Sequence, residues 1–188
     1  AGLVGCGATG REVARRLAAF EMKVLAFDPY VADHPQTVAN VPVDFASLDD
    51  LLSRSDFVSI HAAVTSQSRG LLGRDELARM KRQAFLVNTA RAALVDEQAL
   101  LDALRAGRIA GAAVDVHRVE PLPPGSPWLA LDNVLLTPHI GGATGDVVRR
   151  HSEMILADVR RWLRGEPPTH LVTVAHGAGA PPAIAHAS

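Results

Sequence analysis

Short apolar runs alternate with amphipathic segments along this chain, and that alternation limits the folds open to it. Residues 3–5, 22–28, 56–62, 84–90, 109–116 and 133–137 read as strands, with a weaker one at 42–45. Between them, residues 9–20 put Val13, Ala14, Leu17 and Ala18 at helical spacing. Ser47 is placed to cap a helix over 48–54, with Asp49 and Asp50 in its first turn. A short helix is expected over 75–80. Asp96 caps another over 97–105, which Gly107 stops. A long helix over 144–164 ends at Gly165-Glu166-Pro167-Pro168. Strand and helix in strict turn predict right-handed βαβ units: a parallel sheet with helices on both faces.

Bulk properties narrow the function classes. A chain of 188 residues suits one domain with a sizeable core, expected over residues 1–174. Residues 175–188, rich in Ala, Gly, Pro and His, read as a disordered tail. The net charge is -1 and no Lys/Arg stripe forms, which argues against nucleic acid as a partner. The single cysteine, Cys6, excludes an internal disulfide and fits a reducing, cytoplasmic compartment. No apolar run approaches the roughly 20 residues of a membrane span. The chain starts without Met inside an apolar strand, so it reads as a fragment.

Gly5-Cys6-Gly7-Ala8-Thr9-Gly10 is a G-x-G-x-x-G run. Alone it is weak; between a strand and a helix it has the setting a dinucleotide site needs. Gly5 permits the tight turn, Gly7 lets the backbone approach a pyrophosphate, and Gly10 lets the helix pack on the strand. The N–H groups of Ala8 and Thr9 then face the phosphates. Asp28 ends the next strand, about 20 residues on, where a carboxylate accepts from the ribose hydroxyls. It would repel a 2′-phosphate, so NAD is expected over NADP. These features specify a doubly wound α/β fold of Rossmann type.

Three further blocks, NTARAALVDEQAL, AAVDVHRVEPLP and LLTPHIGGAT, each deliver one polar residue past a strand end: Arg91, Glu120 and His139. Loops after the carboxyl ends of parallel strands converge on one crevice. A guanidinium, a carboxylate and an imidazole brought together there could hold a carboxylate and move a proton nearby. Each also has an ordinary reading alone: a surface ion-pair residue, a loop charge and a structural histidine. The other histidines show no metal-ligand spacing, and no metal is expected. His61 reads as structural and Cys6 as a small packing residue.

Taken with GLVGCGATGREVARRL and AFDPYV, these blocks resemble the NAD-binding domain of the D-isomer-specific 2-hydroxyacid dehydrogenases, nearest their phosphoglycerate dehydrogenase branch. The resemblance covers roughly residues 1–174. It implies that Arg91 binds the substrate carboxylate, that His139 is the acid/base and that Glu120 orients it. It assigns Asp115 to the nicotinamide carboxamide, Thr89, Ala90, Gly141 and Gly142 to the cofactor, and Ala62 and Ala63 to the adenine pocket. It implies a small 2-hydroxy or 2-oxo acid substrate and a homodimer, with residues 117–131 a contact. It further implies a substrate domain mostly preceding the Gly-rich loop, so this chain alone should bind NAD and turn over poorly. A non-enzymatic, NAD-responsive corepressor-like module, which keeps the same trio, is the alternative. The chain departs from the pattern at Ala8 and Thr9, at Ala63 (commonly Pro), and at Ala92 and Ala93 (commonly two glycines). A methyl at Ala92 is expected to crowd the Arg91 loop.

Overall fold

Every strand of the main sheet runs in the same direction, as the alternation requires. The computed structural model describes residues 1–31 and 37–171. The chain forms β1 (Gly2–Val4), α1 (Ala8–Ala19), β2 (Leu25–Phe27), β3 (Thr37–Val38), β4 (Val41–Pro42) and β5 (Asp44–Phe45). Then follow α2 (Leu48–Arg54), β6 (Phe57–Ile60), α3 (Arg74–Arg79), β7 (Phe85–Asn88), α4 (Glu97–Arg105), β8 (Gly111–Val114), β9 (Val134–Leu136) and α5 (Gly145–Leu163). The seven-stranded sheet has the order β5-β2-β1-β6-β7-β8-β9. The order reverses between β1 and β6, which opens a crevice at their carboxyl ends.

Residue alternation along the strands separates two cores. Val4 and Leu25 join one cluster with Leu51, Leu77, Met80 and Leu101, from α2 to α4. Their neighbours Leu3 and Ala26 join another with Ala14, Val13 and Leu17 of α1. Helices therefore cover both faces. Truncating a fully buried leucine such as Leu101 to Ala should cost about 2–5 kcal/mol.

The caps form as expected. Ser47 Oγ accepts from the Asp50 N–H at 3.1 Å, and Asp96 Oδ1 from the Ala99 N–H at 3.0 Å. Gly107 ends α4 with φ +58°. One expected element divides. In place of a strand over 42–45, Pro42 ends a hairpin with β3, while Asp44–Phe45 pairs with β2. The hairpin turn has Ala39 and Asn40 at φ 51° and 64°, conformations usually marked by glycine, so its sequence gave no hairpin signal. Short 3-10 turns at Ala92–Leu94 and Pro127–Ala130 were likewise unmarked. The expected tail, 175–188, lies outside the described residues, as do His34, His176 and His186.

The chain divides into two compact units, Ala1–Gly142 and Ala143–Ser188. The first holds the sheet. In the second, Thr144 caps α5 through the Val147 N–H. Asp158 accepts bonds from the Thr169 and His170 backbones, fixing the turn after the helix. Among the described residues, no helix is long and apolar enough to cross a membrane.

Candidate active site

The glycines of the β1–α1 turn do three different jobs. Gly5 has φ +97°, and a Cβ there would lie 2.7 Å from the Ala62 nitrogen. A Cβ on Gly10 would lie 2.3 Å from the Gly5 oxygen, so this residue sets how closely α1 packs on the turn. Gly7 is different: nothing stands within 4 Å of a Cβ there. Its open side adjoins the start of α1, which no side chain caps. The first N–H groups of a helix have no intrahelical acceptor, and they carry its positive end. A backbone cradle with open space beside unsatisfied donors fits a diphosphate.

Asp28 completes this half. Its Oδ2 accepts the Cys6 N–H at 2.7 Å and its Oδ1 the Tyr30 N–H at 2.9 Å. Each carboxylate oxygen can accept about two bonds, so one position per oxygen remains for a ribose hydroxyl. A cavity of about 440 Å³ runs from Gly5, Gly7 and Asp28 to Ala62 and Ala63. Tyr30 and Gln67 also line it, with Tyr30 Oη donating to Gln67 Oε1 at 3.2 Å. Neither was marked by the Gly-rich motif, although Tyr30 stands two residues beyond Asp28. Residues fit to hold a dinucleotide are thus Gly7, Ala8 and Thr9 at the phosphates and Asp28 at the ribose.

Past β7, Arg91 is placed by Asn88. This amide is 2% exposed; its Nδ2 donates to the Arg91 carbonyl and its Oδ1 accepts the Ala90 N–H, both at 3.1 Å. A lone amide ending an apolar strand was the available signal for this positioning residue. Ala92 and Ala93 lie at or beside the start of the 3-10 turn, and neither is among the residues with positive φ. The turn therefore needs no glycine-only conformation at either position. Thr9, Thr89, Ala90 and Arg91 share a second cavity, of about 930 Å³, with His61 and His117.

Glu120 and His139 meet. His139 Nδ1 lies 2.9 Å from Glu120 Oε2, while Glu120 Oε1 accepts the His117 N–H at 2.8 Å. These bonds, the backbone one foremost, hold the Glu120 carboxyl below its ordinary range, so it is ionised at neutral pH. A carboxylate only accepts, so Nδ1 carries the proton and Nε2 is left for a ligand. His139 itself has φ +58°, a strained conformation for a residue with a Cβ. The strain turns two successive N–H groups onto Asp115: Ile140 to Oδ1 at 2.9 Å and Gly141 to Oδ2 at 2.8 Å. Thr137 Oγ1 also donates to Oδ1. Burial pushes the Asp115 carboxyl up, but these bonds and the nearby His139 outweigh it, and the net shift is downward.

Asp115 therefore holds the His139 turn, a role that sequence reasoning missed. A Cβ on Gly141 would reach 2.9 Å from Asp115 Oδ2, whereas Gly142 has open space. Among the described residues, no hydrogen bond or ion pair joins Arg91 to Glu120 or His139. The connection is His117, which lines the Arg91 cavity and an adjoining one of about 290 Å³ with Glu120 and Thr137. Its Nε2 lies 3.0 Å from the Thr137 carbonyl. His61 pairs with Ser59 Oγ at 2.9 Å, and burial lowers its pKa. Among the described residues no group of His, Cys, Asp and Glu could hold a metal.

Comparison with known proteins gives the family. The sequence model of the D-isomer specific 2-hydroxyacid dehydrogenase NAD binding domain matches residues 1–141. A glyoxylate reductase of Thermofilum pendens is 44% identical over 172 residues, 91% of this chain and 50% of that protein. A D-3-phosphoglycerate dehydrogenase of Archaeoglobus fulgidus is 38% identical over 174 residues, 93% of this chain and 33% of that protein. The structure of a D-lactate dehydrogenase with NAD+ from Lactobacillus jensenii superposes with a TM-score of 0.81 at 30% identity, covering 92% of this chain and 55% of that one. The chain thus spans half or less of these two sequence relatives. Nothing in these comparisons supports the corepressor-like alternative. The chain belongs to the D-isomer specific 2-hydroxyacid dehydrogenase family and forms its NAD binding domain.

Proposed function

We propose that this chain forms the NAD-binding side of an active site that interconverts a small D-2-hydroxy acid and its 2-oxo acid. The observation that carries the reading is the His139–Glu120 pair at 2.9 Å beside the Arg91 loop. NAD, when bound, supplies or accepts the hydride. Arg91 holds the substrate carboxylate, where a guanidinium can engage both oxygens. His139 Nε2 gives a proton to the C2 oxygen during reduction and takes it back during oxidation. Ionised Glu120 fixes the Nδ1–H tautomer and favours the protonated ring. Asp115, through Ile140 and Gly141, holds the turn on which that ring stands. Thr89, Ala90, Gly141 and Gly142 flank the nicotinamide end of the cofactor.

Asp28 favours NAD over NADP, because a 2′-phosphate would meet a carboxylate already fixed by two N–H groups. The residue context fits a cytoplasmic protein. A homodimer contact is assigned to residues 117–131, where Val119 and Leu129 are exposed. Sedimentation of Val119→Asp tests that contact: a wild-type dimer that becomes a monomer supports it, and a wild-type monomer refutes it.

The reaction is tested on the complete protein, this domain together with its substrate domain, by incubation with NADH and a panel of 2-oxo acids, and by measuring NADH binding separately. The expected result is oxidation of NADH with at least one acid, lost in His139→Gln while NADH binding persists. Tight NADH binding with no rate above background for any acid would overturn the reading.

A further inference from the structure

The proton-transfer pair is too exposed to position itself. The Glu120 and His139 side chains are 38% and 43% exposed. An ion pair so open to water contributes little, and its groups stay together only if their neighbours hold them. Asp115 holds the turn under His139. That support does not reach Glu120, which lies in the loop after β8, whereas His139 follows β9.

His117 bonds to both loops. Its backbone N–H donates to Glu120 Oε1 at 2.8 Å. Its side-chain Nε2 lies 3.0 Å from the Thr137 carbonyl. A carbonyl only accepts, so Nε2 carries the ring proton. That carbonyl belongs to the planar peptide that joins Thr137 to Pro138. The proline ring restricts the next φ, so fixing this one carbonyl leaves the chain little freedom before His139. Thr137 is held at its other polar atoms too: its N–H donates to the Val114 carbonyl at 3.1 Å, and its Oγ1 to Asp115.

The other ring nitrogen is left badly off by this arrangement. His117 is 8% exposed, and Nδ1, now an acceptor, is buried with no hydrogen-bond partner among the described residues. An unpaired buried acceptor is unfavourable, and a phenyl ring would fill similar space without one. An imidazole here is therefore poor for packing, and what it adds is the Nε2–H. We propose that His117 is a positioning residue for proton transfer: its ring N–H, through the Thr137–Pro138 peptide, sets His139 at bonding distance from Glu120. This rests on the reading of His139 as the acid/base.

Two substitutions separate the donor from the ring. His117→Phe keeps a ring and removes the donor. His117→Gln removes the ring and keeps an N–H donor the same number of bonds from Cα. Both are made in the complete protein, this domain together with its substrate domain. Nitrogen NMR on histidine-labelled protein, without substrate and at a pH where the ring is neutral, locates the His139 proton. It should sit on Nδ1, facing Glu120, in the wild type and in His117→Gln, and divide between the two nitrogens in His117→Phe. With NADH and a 2-oxo acid, kcat should fall about 10–100-fold in His117→Phe, because a small misplacement of a reacting group is costly, and His117→Gln should recover most of that loss. KM and NADH affinity should stay unchanged in both, since His117 bonds neither Arg91 nor the Gly-rich turn. The melting temperature of His117→Phe should not fall: the unpaired Nδ1 is gone, and Thr137, only half-buried, can pair its freed carbonyl with water.

Wild-type kcat and an unmoved His139 proton in His117→Phe would overturn the proposal. So would an equal loss in His117→Gln, which would show that the ring's shape matters and its donor does not. A melting temperature that falls together with NADH affinity in His117→Phe would make His117 a packing residue and overturn it as well. If the wild-type complete protein reduces no 2-oxo acid, the reaction itself is refuted, and the position of the His139 proton still decides whether His117 sets the pair.

Discussion

The turns at Gly5 and at His139 both reach positive φ, and they do so by opposite means. At Gly5 the backbone takes φ +97° because the residue has no Cβ. At His139 it takes φ +58° despite one, and three donors converge on Asp115 to hold it there. The first turn makes a site out of backbone, so its requirements are for missing atoms. The second presents one side chain, and a neighbouring carboxylate offsets a strain of about 1–2 kcal/mol. A site of the first kind should be sensitive to added methyls and tolerant of side-chain chemistry. A site of the second kind should be the reverse.

The sharpest test of that contrast is His139→Asn. Asparagine accepts left-handed backbone more readily than most residues, so the turn should persist. The proton donor is gone, and kcat should fall by about 10²–10⁴. NADH affinity and melting temperature should barely move. A variant that unfolds would show that the imidazole also holds the turn, and the contrast would weaken.

The glycine turn should respond in the opposite sense. Gly5→Ala and Gly10→Ala place a methyl within 3 Å of backbone atoms. Each should lose about 2–5 kcal/mol, from overlap at both positions and from disfavoured φ at Gly5. Gly7→Ala meets nothing in the protein, so its melting temperature should stay near wild type while NADH binding weakens about tenfold or more. Thermal melts and NADH titrations on the three variants separate these outcomes. Equal losses of stability in all three would refute the division of labour.

The same contrast explains what could be read in advance. Gly5, Gly7, Gly10 and Asp28 were legible because a backbone cradle demands one residue type at fixed spacing. Arg91, Glu120 and His139 were legible as strand-end residues, and the resemblance paired Glu120 with His139; in the structure those two bond, and Arg91 joins neither. The supports were harder to find. Asp115 binds backbone groups 25 and 26 residues away, which no local spacing encodes, whereas Asn88 and His117 bond groups only two or three residues on, in loops that no recognised motif marks. The parallel sheet with helices on both faces followed from alternation, whereas the Ala39–Asn40 turn was hidden because its residues lack the usual glycine.

Asp115 offers a pH-dependent test of the support. Its carboxyl lies below the ordinary range in the folded protein, so the folded state prefers the ionised form. Its contribution to stability is full above the unfolded pKa near 3.9 and is lost as pH falls through the lower, folded value. Asp115→Asn cannot ionise and leaves at least one of the N–H donors of Ile140 and Gly141 poorly matched. It should lose about 1–3 kcal/mol at neutral pH and show a flatter decline of stability below about pH 4. Chemical denaturation across that range measures both effects. An unchanged pH profile would mean that the His139 turn does not depend on this charge.

The smallest expected effect concerns Ala92 and Ala93, where the family commonly has glycines. If those glycines served the Arg91 loop by conformation, restoring them should improve the site. Neither alanine has positive φ, and their 3-10 turn accepts an L residue without strain. Glycine would only enlarge the freedom of the unfolded chain. Ala92→Gly and Ala93→Gly should each lower stability by about 0.5–1 kcal/mol, with kcat and KM unchanged. A rise in turnover would show instead that the methyls restrain Arg91, and that this loop, like the turn at Gly5, is limited by the atoms it must exclude.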